Sequence, residues 1–137
     1  MGLILDSSVL IKAERQGQNA RHMLTAISGT AGNTDIAISV VTLIELAHGA
    51  ARADTAERKA RRQQFIQELI RAVPVHPVTV LVALRVGQID GENQAKGVRL
   101  PLADLLIGVT ALELGYSVAT GNLRHFQRIP GLSVVQL

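Results

Sequence analysis

The segment LPLADLLIGVTALELG, residues 100–115, predicts an almost uninterrupted apolar helix with one acid near its start, around which the rest of the chain can pack. Pro101 suits the first turn of a helix, and Asp104 falls in the opening turn, where the helix dipole favours a carboxylate. The residues that follow are apolar nearly all round, which is typical of a buried helix. Gly108 predicts the close approach of another backbone, and Gly115 predicts the helix end. A lone carboxylate at the rim of a buried helix either complements that helix or belongs to a site.

Composition predicts one α/β domain spanning residues 1–137, with an aliphatic core. The chain is 47% hydrophobic but only 2% aromatic, which is typical of a buried parallel sheet covered by helices. It has no cysteine, which excludes disulfides, a thiolate metal site and a cysteine nucleophile. The start MGLILDSS lacks a basic region and a long apolar run, so we expect no signal peptide and a cytoplasmic protein without membrane association.

The positive charge is concentrated in one segment. The formal net charge of +3 is a weak indication of an acidic partner such as RNA. The segment ARADTAERKARR, residues 51–62, holds five bases and two acids, so its excess equals that of the whole chain. Such patterning is most often a solvated helix face.

Short apolar runs alternate with helical patterns, which predicts crossover connections and a mostly parallel sheet. Residues 29–34 and 87–97 are less regular, the first predicted as a loop and the second as a helix end plus a loop. The predicted strands are residues 2–5, 35–38, 117–120 and 132–135, with an extended piece at 74–77. Ser7 and Ser8 are a helix-start signal for the first predicted helix, residues 9–12. The other predicted helices are residues 19–28, 40–53, 55–73, 78–86, 100–115 and a short one within 121–128.

Three acids follow strands of this predicted sheet or open the helix beside it. Asp6 ends the first strand, Glu45 lies among apolar neighbours on the helix after the second strand, and Asp104 opens the central helix. Ligands of such sheets bind at the carboxyl ends of the strands, so these acids can face one crevice. Buried carboxylates repel one another unless a cation lies between them, and Mg²⁺ or Mn²⁺ prefers oxygen ligands. The pattern predicts a metal site suited to phosphodiester hydrolysis.

Each acid also has an ordinary structural interpretation. Asp6 can cap the first helix, Glu45 can pair with an arginine, and Asp104 can complement the helix dipole. A receiver-like or other phosphoryl-transfer domain would also place an aspartate after its first strand. That class requires a second acid beside Asp6 and a late lysine, but no lysine occurs after Lys96.

Four segments carry a resemblance to a known family across nearly the whole chain. They are LILDSSVLI (3–11), SVVTLIELAHG (39–49), LADLLIGVTALELGYSVATGN (102–122) and RHFQRIPGLSV (124–134). In order and spacing they resemble the PIN-domain family and, within it, the VapC-type toxins of bacterial type II toxin–antitoxin pairs. The resemblance implies a three-layer αβα sandwich and a Mg²⁺- or Mn²⁺-dependent endoribonuclease.

The resemblance also implies roles for individual residues. The catalytic and metal-binding acids of the family fall on Asp6, Glu45 and Asp104. The small hydroxyl residue that helps to hold the site falls on Ser7, and the threonine after the fourth strand falls on Thr120.

The chain departs from the family pattern in the segment TGNLRHF, residues 120–126. Many members carry a further acid there, whereas this chain has Asn122 and His125. The sequence is therefore compatible with either one or two bound metal ions. The amide oxygen of Asn122 can still bind a metal-bound water, and Asp90 or Glu92 can either compensate or be solvated. Arg124 and His125 lie beside the predicted crevice and are candidates for contact with RNA phosphate.

The resemblance further implies partners. We expect a cognate VapB-type antitoxin whose C-terminal segment blocks the metal site, an RNA substrate and a homodimer. The basic helical arm of residues 52–62 corresponds to a region that commonly contacts the antitoxin or a second subunit. The alternative function is a catalytically weak PIN-like module that binds RNA or protein.

Overall fold

The computed structural model describes residues 1–32 and 34–137, which form a parallel sheet enclosed by helices. The strand order is β3-β2-β1-β4-β5, and each adjacent pair is parallel. The predicted parallel sheet is therefore confirmed, with β1 at its centre. The strands are β1 (Gly2–Leu5), β2 (Asp35–Ser39), β3 (Val75–His76), β4 (Ser117–Thr120) and β5 (Val134–Gln136).

Polar caps set the starts of several helices. The side chains of Asn19, Ser39, Thr55 and Thr79 accept hydrogen bonds from backbone N–H groups of the helices that follow them. None of the helices in the described ranges is long and apolar enough to cross a membrane. The helices are α1 (Ser7–Arg15), α2 (Ala20–Ala31), α3 (Val40–Ala51), α4 (Ala56–Ala72), α5 (Val80–Ala95), α6 (Leu102–Leu114) and α7 (Leu123–Phe126).

Two apolar clusters lie on opposite faces of the sheet. Leu5 packs with α1, α2 and α4, whereas its neighbour Ile4 packs with α5, α6 and α7, because successive strand residues point to opposite faces. Helix α3 contributes Leu46 to the first cluster and Val41 to the second. The result is the predicted three-layer αβα sandwich, with α3 spanning the carboxyl edge of the sheet.

Helix α6 is the buried helix that its sequence predicts. Leu105, Ile107 and Val109 are fully buried, and Gly115 ends the helix in the left-handed conformation at φ 70°. The turn at Gly115 leads directly into β4, so α6 runs antiparallel to the strands. Asp104, near its start, therefore lies at the carboxyl edge of the sheet.

Some local predictions were wrong. The atoms nearest to Gly108 belong to side chains rather than to another backbone, and a Cβ atom there would collide with the side chain of Ile129. Residues 29–31 belong to α2, Asn33 lies outside the described residues, and the last strand is shifted to Val134–Gln136. Helix α5 continues to Ala95 through two glycines, because burial of its apolar face outweighs a helix penalty of about 1 kcal/mol per glycine.

Candidate active site

Asp6 is anchored where β1 ends. Its backbone N–H donates to the carbonyl oxygen of Ala119 in β4 at 2.9 Å, and the residue is only 4% exposed. It occupies the N-cap position of α1, but its side chain makes no capping hydrogen bond. Its Oδ2 atom instead accepts hydrogen bonds from Ser8 Oγ and Thr120 Oγ1, each at 2.8 Å. The carboxylate is therefore held by hydroxyls rather than by the helix.

The two hydroxyls are themselves oriented by the backbone after β4. Gly121 N–H donates to Ser8 Oγ at 3.0 Å, and Asn122 N–H donates to Thr120 Oγ1 at 2.9 Å. Because each oxygen accepts a backbone hydrogen, each hydroxyl proton is free to point at Asp6. Sequence reasoning selected Thr120 but missed Ser8, which it took only as a helix-start signal. The available signal was the position of Ser8 two residues after Asp6 at a helix start, where a hydroxyl can bond to the acid.

Glu45 lies in the second turn of α3 and is half-buried. Its Oε1 accepts a hydrogen bond from Ser7 Oγ at 2.9 Å, and it forms no ion pair with any arginine of the described chain. Burial raises the pKa of Glu45. The Ser7 hydrogen bond lowers that pKa, whereas the charges of Asp6 and Asp104 raise it further. Ser7 therefore supports Glu45, not its neighbour Asp6.

Asp104 is held by α7. Its Oδ2 lies 2.7 Å from His125 Nδ1, which is also 3.0 Å from Asn122 Nδ2. One ring nitrogen can serve only one of these groups fully, and the carboxylate is the stronger partner. Burial raises the pKa of Asp104, the hydrogen bond from His125 lowers it, and the charge of Asp6 raises it. His125 therefore lies beside Asp104 and belongs to the segment in which many family members carry a further acid.

The fold therefore brings Asp6, Glu45 and Asp104 to one end of the sheet from three different elements. The charge of Asp6 raises the pKa of both Glu45 and Asp104, and the charge of Asp104 also raises that of Glu45. No three Asp, Glu or His side chains within residues 1–32 and 34–137 are gathered tightly enough to ligate one ion directly. The arrangement is an open wall of carboxylates rather than a closed cage.

The remaining predicted residues lie at different distances from this wall. Asn122 and His125 adjoin it, and Arg124 is exposed on α7 beside them. Asp90 and Glu92 bond to glutamines on their own helix, α5, at 3.0 and 3.2 Å. Neither of these two acids joins the site.

Replacing Glu45 by glutamine is expected to stabilise the metal-free protein at neutral pH. Its folded pKa is raised above the ordinary value of 4.5, so ionisation of this carboxyl destabilises the fold. The stability advantage of Glu45→Gln should be absent below pH 4.5, grow up to the raised pKa, and stay constant above it. Melting temperatures in chelator across this pH range test this. The exposed Glu92→Gln should show no such rise, and equal curves for Glu45→Gln and the unmodified protein would contradict the prediction.

Thr42 carries an unsatisfied hydroxyl one turn before Glu45. The residue is fully buried, and its Oγ1 has no hydrogen-bond partner among the described residues. Because an unpaired buried polar group costs about 1–3 kcal/mol, Thr42→Val should increase the free energy of unfolding by about 1 kcal/mol. Thr110→Val is the matched control, since that buried hydroxyl donates to the Leu106 carbonyl at 2.7 Å. Chemical denaturation should show a gain for the first variant and a loss for the second; a loss for both would refute the assignment.

Comparison with known proteins identifies the class to which this fold and site belong. The family model of the PIN domain matches residues 3–132. The chain belongs to the PIN-domain family.

Two relatives and one solved structure show which members of the family this chain is similar to. Ribonuclease VapC1 of Rickettsia felis is 28% identical over 135 residues, covering 98% of this chain and 96% of the relative. The tRNA(fMet)-specific endonuclease VapC of Salmonella typhimurium is 34% identical over 97 residues, or 71% of each chain. The crystal structure of DNA-bound VapBC from Salmonella typhimurium matches with a TM-score of 0.81 and 26% identity, covering 99% of this chain and 98% of that chain.

Proposed function

We propose that residues 1–137 form one PIN domain that is a metal-dependent endoribonuclease, the toxin of a VapC-type toxin–antitoxin pair. The observation that carries this proposal is the set of Asp6, Glu45 and Asp104 at the carboxyl edge of a parallel sheet. Each acid comes from a different element, and two of them have raised pKa values. The names of the relatives, a ribonuclease and a tRNA endonuclease, support RNA as the substrate.

The donor set fits a hard divalent cation. Three mutually repelling carboxylates supply the oxygen ligands that Mg²⁺ and Mn²⁺ prefer. Among the described residues these acids do not form a ready-made set of three direct ligands, but Mg²⁺ typically keeps several waters and takes only one or two carboxylates. Asp6, Asp104 and Glu45 would therefore hold the cation, some of them through water. When bound, the cation supplies Lewis-acid activation of water and neutralises phosphate charge.

The neighbouring side chains give each acid one orientation. Ser8 and Thr120 both donate to Oδ2 of Asp6, so neither of these hydrogen bonds uses Oδ1. Ser7 fixes one oxygen of Glu45, and His125 fixes one oxygen of Asp104. Each acid thus keeps a second oxygen for ligand or water. Fixing one oxygen of each acid in this way reduces the reorganisation that binding of a cation would require.

A protein partner follows from the same similarity. The Salmonella structure contains VapBC, and the four matching segments of this chain resemble VapC-type toxins. We propose a VapB-type antitoxin that covers the acid wall and a homodimer of this chain. Arg124, exposed beside the wall, would contact RNA phosphate in the absence of the antitoxin.

Cleavage of RNA by the purified protein tests the proposed function. The antitoxin-free protein is incubated with total RNA and with a transfer RNA pool, in Mg²⁺, in Mn²⁺ and in chelator. Discrete fragments that require metal and disappear with Asp104→Asn would support the proposal. RNA binding without cleavage in any metal would overturn it and favour the binding-module alternative, which the lack of an acid at Asn122 and His125 suggests.

A further inference from the structure

A groove of about 920 Å³ leads away from the acid wall between α1, α3 and α4. Ser7 and Glu45 form part of its lining, so the groove is continuous with the site described above. Arginines dominate the rest of its polar lining, and we call it the arginine groove. They are Arg15, Arg52, Arg58, Arg61 and Arg62.

One of these arginines, Arg62, has a structural role because its charge is paired with a buried acid. Arg62 donates from Nε to Glu14 Oε1 at 2.8 Å, and both side chains are about nine-tenths buried. Its guanidinium also contacts the Leu46 carbonyl, at 3.4 Å. It passes directly over Gly49, where any Cβ atom would collide with it. Arg62 therefore ties α4 to α1 and α3 and sets the width of the groove.

The other arginines leave a surplus of positive charge. Arg58 is paired with Asp54 on the surface at 2.9 Å. Arg15, Arg52 and Arg61 are exposed and form no ion pair within the part of the chain that the structure describes. Together the lining holds five arginines against three carboxylates, one of which is the metal-site residue Glu45. The groove is therefore electropositive immediately beside an acidic reaction site.

From this juxtaposition we infer that the arginine groove binds the phosphodiester backbone of the RNA strand on one side of the cleaved bond. Arg15, Arg52 and Arg61 contact its phosphates. The inference rests on the proposed function and adds to it the path that the substrate takes. Guanidinium groups match phosphate oxygens in a bidentate geometry, and the volume of the groove reaches the upper end of small-molecule pockets, which suits a polymer segment.

The chain offers the bases little to stack on, which favours recognition of the backbone. Phe65 and Phe126 are buried in the two cores, and Tyr116 is partly buried against α6 and Gly2. Binding of single strands normally combines a basic groove with aromatic platforms. Because the groove is lined by five arginines and by no Phe, Tyr or Trp side chain, it is expected to bind many sequences and to depend strongly on salt.

A paired charge-neutralisation experiment tests the inference. Arg52→Gln/Arg61→Gln removes two groove charges, and Lys59→Gln/Arg71→Gln removes two exposed charges on α4 that do not line the groove. Both are made in the Asp104→Asn background, so that RNA is not cleaved. Fluorescence anisotropy of a labelled single-stranded RNA in Mg²⁺, at about 50–200 mM salt, gives the affinity and its salt dependence.

The groove pair should bind RNA about tenfold more weakly, and the slope of log K against log salt should become shallower by about 1.4, or 0.7 for each lost contact. The control pair should match the parent in both quantities. Equal effects of the two pairs, or unchanged binding by the groove pair, would overturn the inference. In the latter case an acidic segment of a protein partner becomes the occupant.

The inference and the proposed function fail in different ways. If the unmodified protein cleaves RNA while the groove pair binds RNA normally, only the groove assignment is wrong. If RNA binding depends on the groove but no metal supports cleavage, only the nuclease assignment is wrong. Absence of RNA binding by the parent would overturn both.

Discussion

Asp6→Asn is expected to lower the rate of metal-dependent RNA cleavage by about a thousandfold while leaving the protein folded. Loss of a charged ligand from a divalent cation removes several kcal/mol of transition-state stabilisation, and each 1.36 kcal/mol is about tenfold in rate. Asparagine has the same shape, and its amide oxygen can still accept hydrogen bonds from Ser8 and Thr120. The substitution therefore changes the charge at the site and little else.

Single-turnover cleavage of a defined RNA in Mg²⁺ measures this effect. Asp90→Asn is the matched control, because Asp90 bonds to Gln94 on the surface of α5 and lies outside the acid wall. Its activity should equal that of the unmodified protein. Retention of most of the activity by Asp6→Asn, with an unchanged melting temperature, would remove Asp6 from the metal site.

Thr120→Val is expected to weaken Mn²⁺ binding and slow cleavage by about 10–100-fold, the usual cost of losing a group that orients a metal ligand. Thr120 is fully buried, and its hydroxyl donates to Asp6 while accepting from the Asn122 backbone. Valine keeps the volume but releases one side of the Asp6 carboxylate. Ser8→Ala should act in the same direction, because Ser8 donates to the same oxygen.

Calorimetric titration with Mn²⁺ provides a readout that does not depend on cleavage. Thr110→Val is the control, since it removes another buried threonine hydroxyl with no link to the acids. Both valine variants should lose some stability, but only Thr120→Val should lose metal affinity. Equal Mn²⁺ affinities for the two would show that the Thr120 hydroxyl has only a structural role.

Much of the candidate site could be predicted from the sequence because its acids occupy positions where charged residues are unusual. Glu45 lies among apolar helix neighbours and Asp6 follows a buried strand, and neither is a usual place for a charge. The order of strands and helices then indicated that such residues share the carboxyl edge of a parallel sheet. Helix α5 was harder to read, because Gly87 and Gly91 obscured a helix that packing against α6 maintains.

The pairings among these residues were not readable in the same way. Ser7 could have supported the adjacent Asp6 but bonds to Glu45, 38 positions away, while Ser8 takes the place beside Asp6. The first turn of a helix points successive side chains in directions about 100° apart, so neighbours in sequence serve different partners. Which partner each one meets depends on where α3 and β4 lie.

The parallel sheet covered by helices, and the edge of the sheet at which Asp6, Glu45 and Asp104 lie, could therefore be predicted from the sequence alone. These predictions follow from the hydrophobic periodicity of each segment and from the order of the strands and helices along the chain. Both can be read without knowing which side chains meet in the folded protein. Three features become visible only in the folded chain: Ser8 and Thr120 bond to Asp6, His125 lies against Asp104, and Arg62 borders the arginine groove beside Glu45. Those contacts join residues far apart in the chain, and their geometry exists only once both apolar clusters have packed the helices against the sheet.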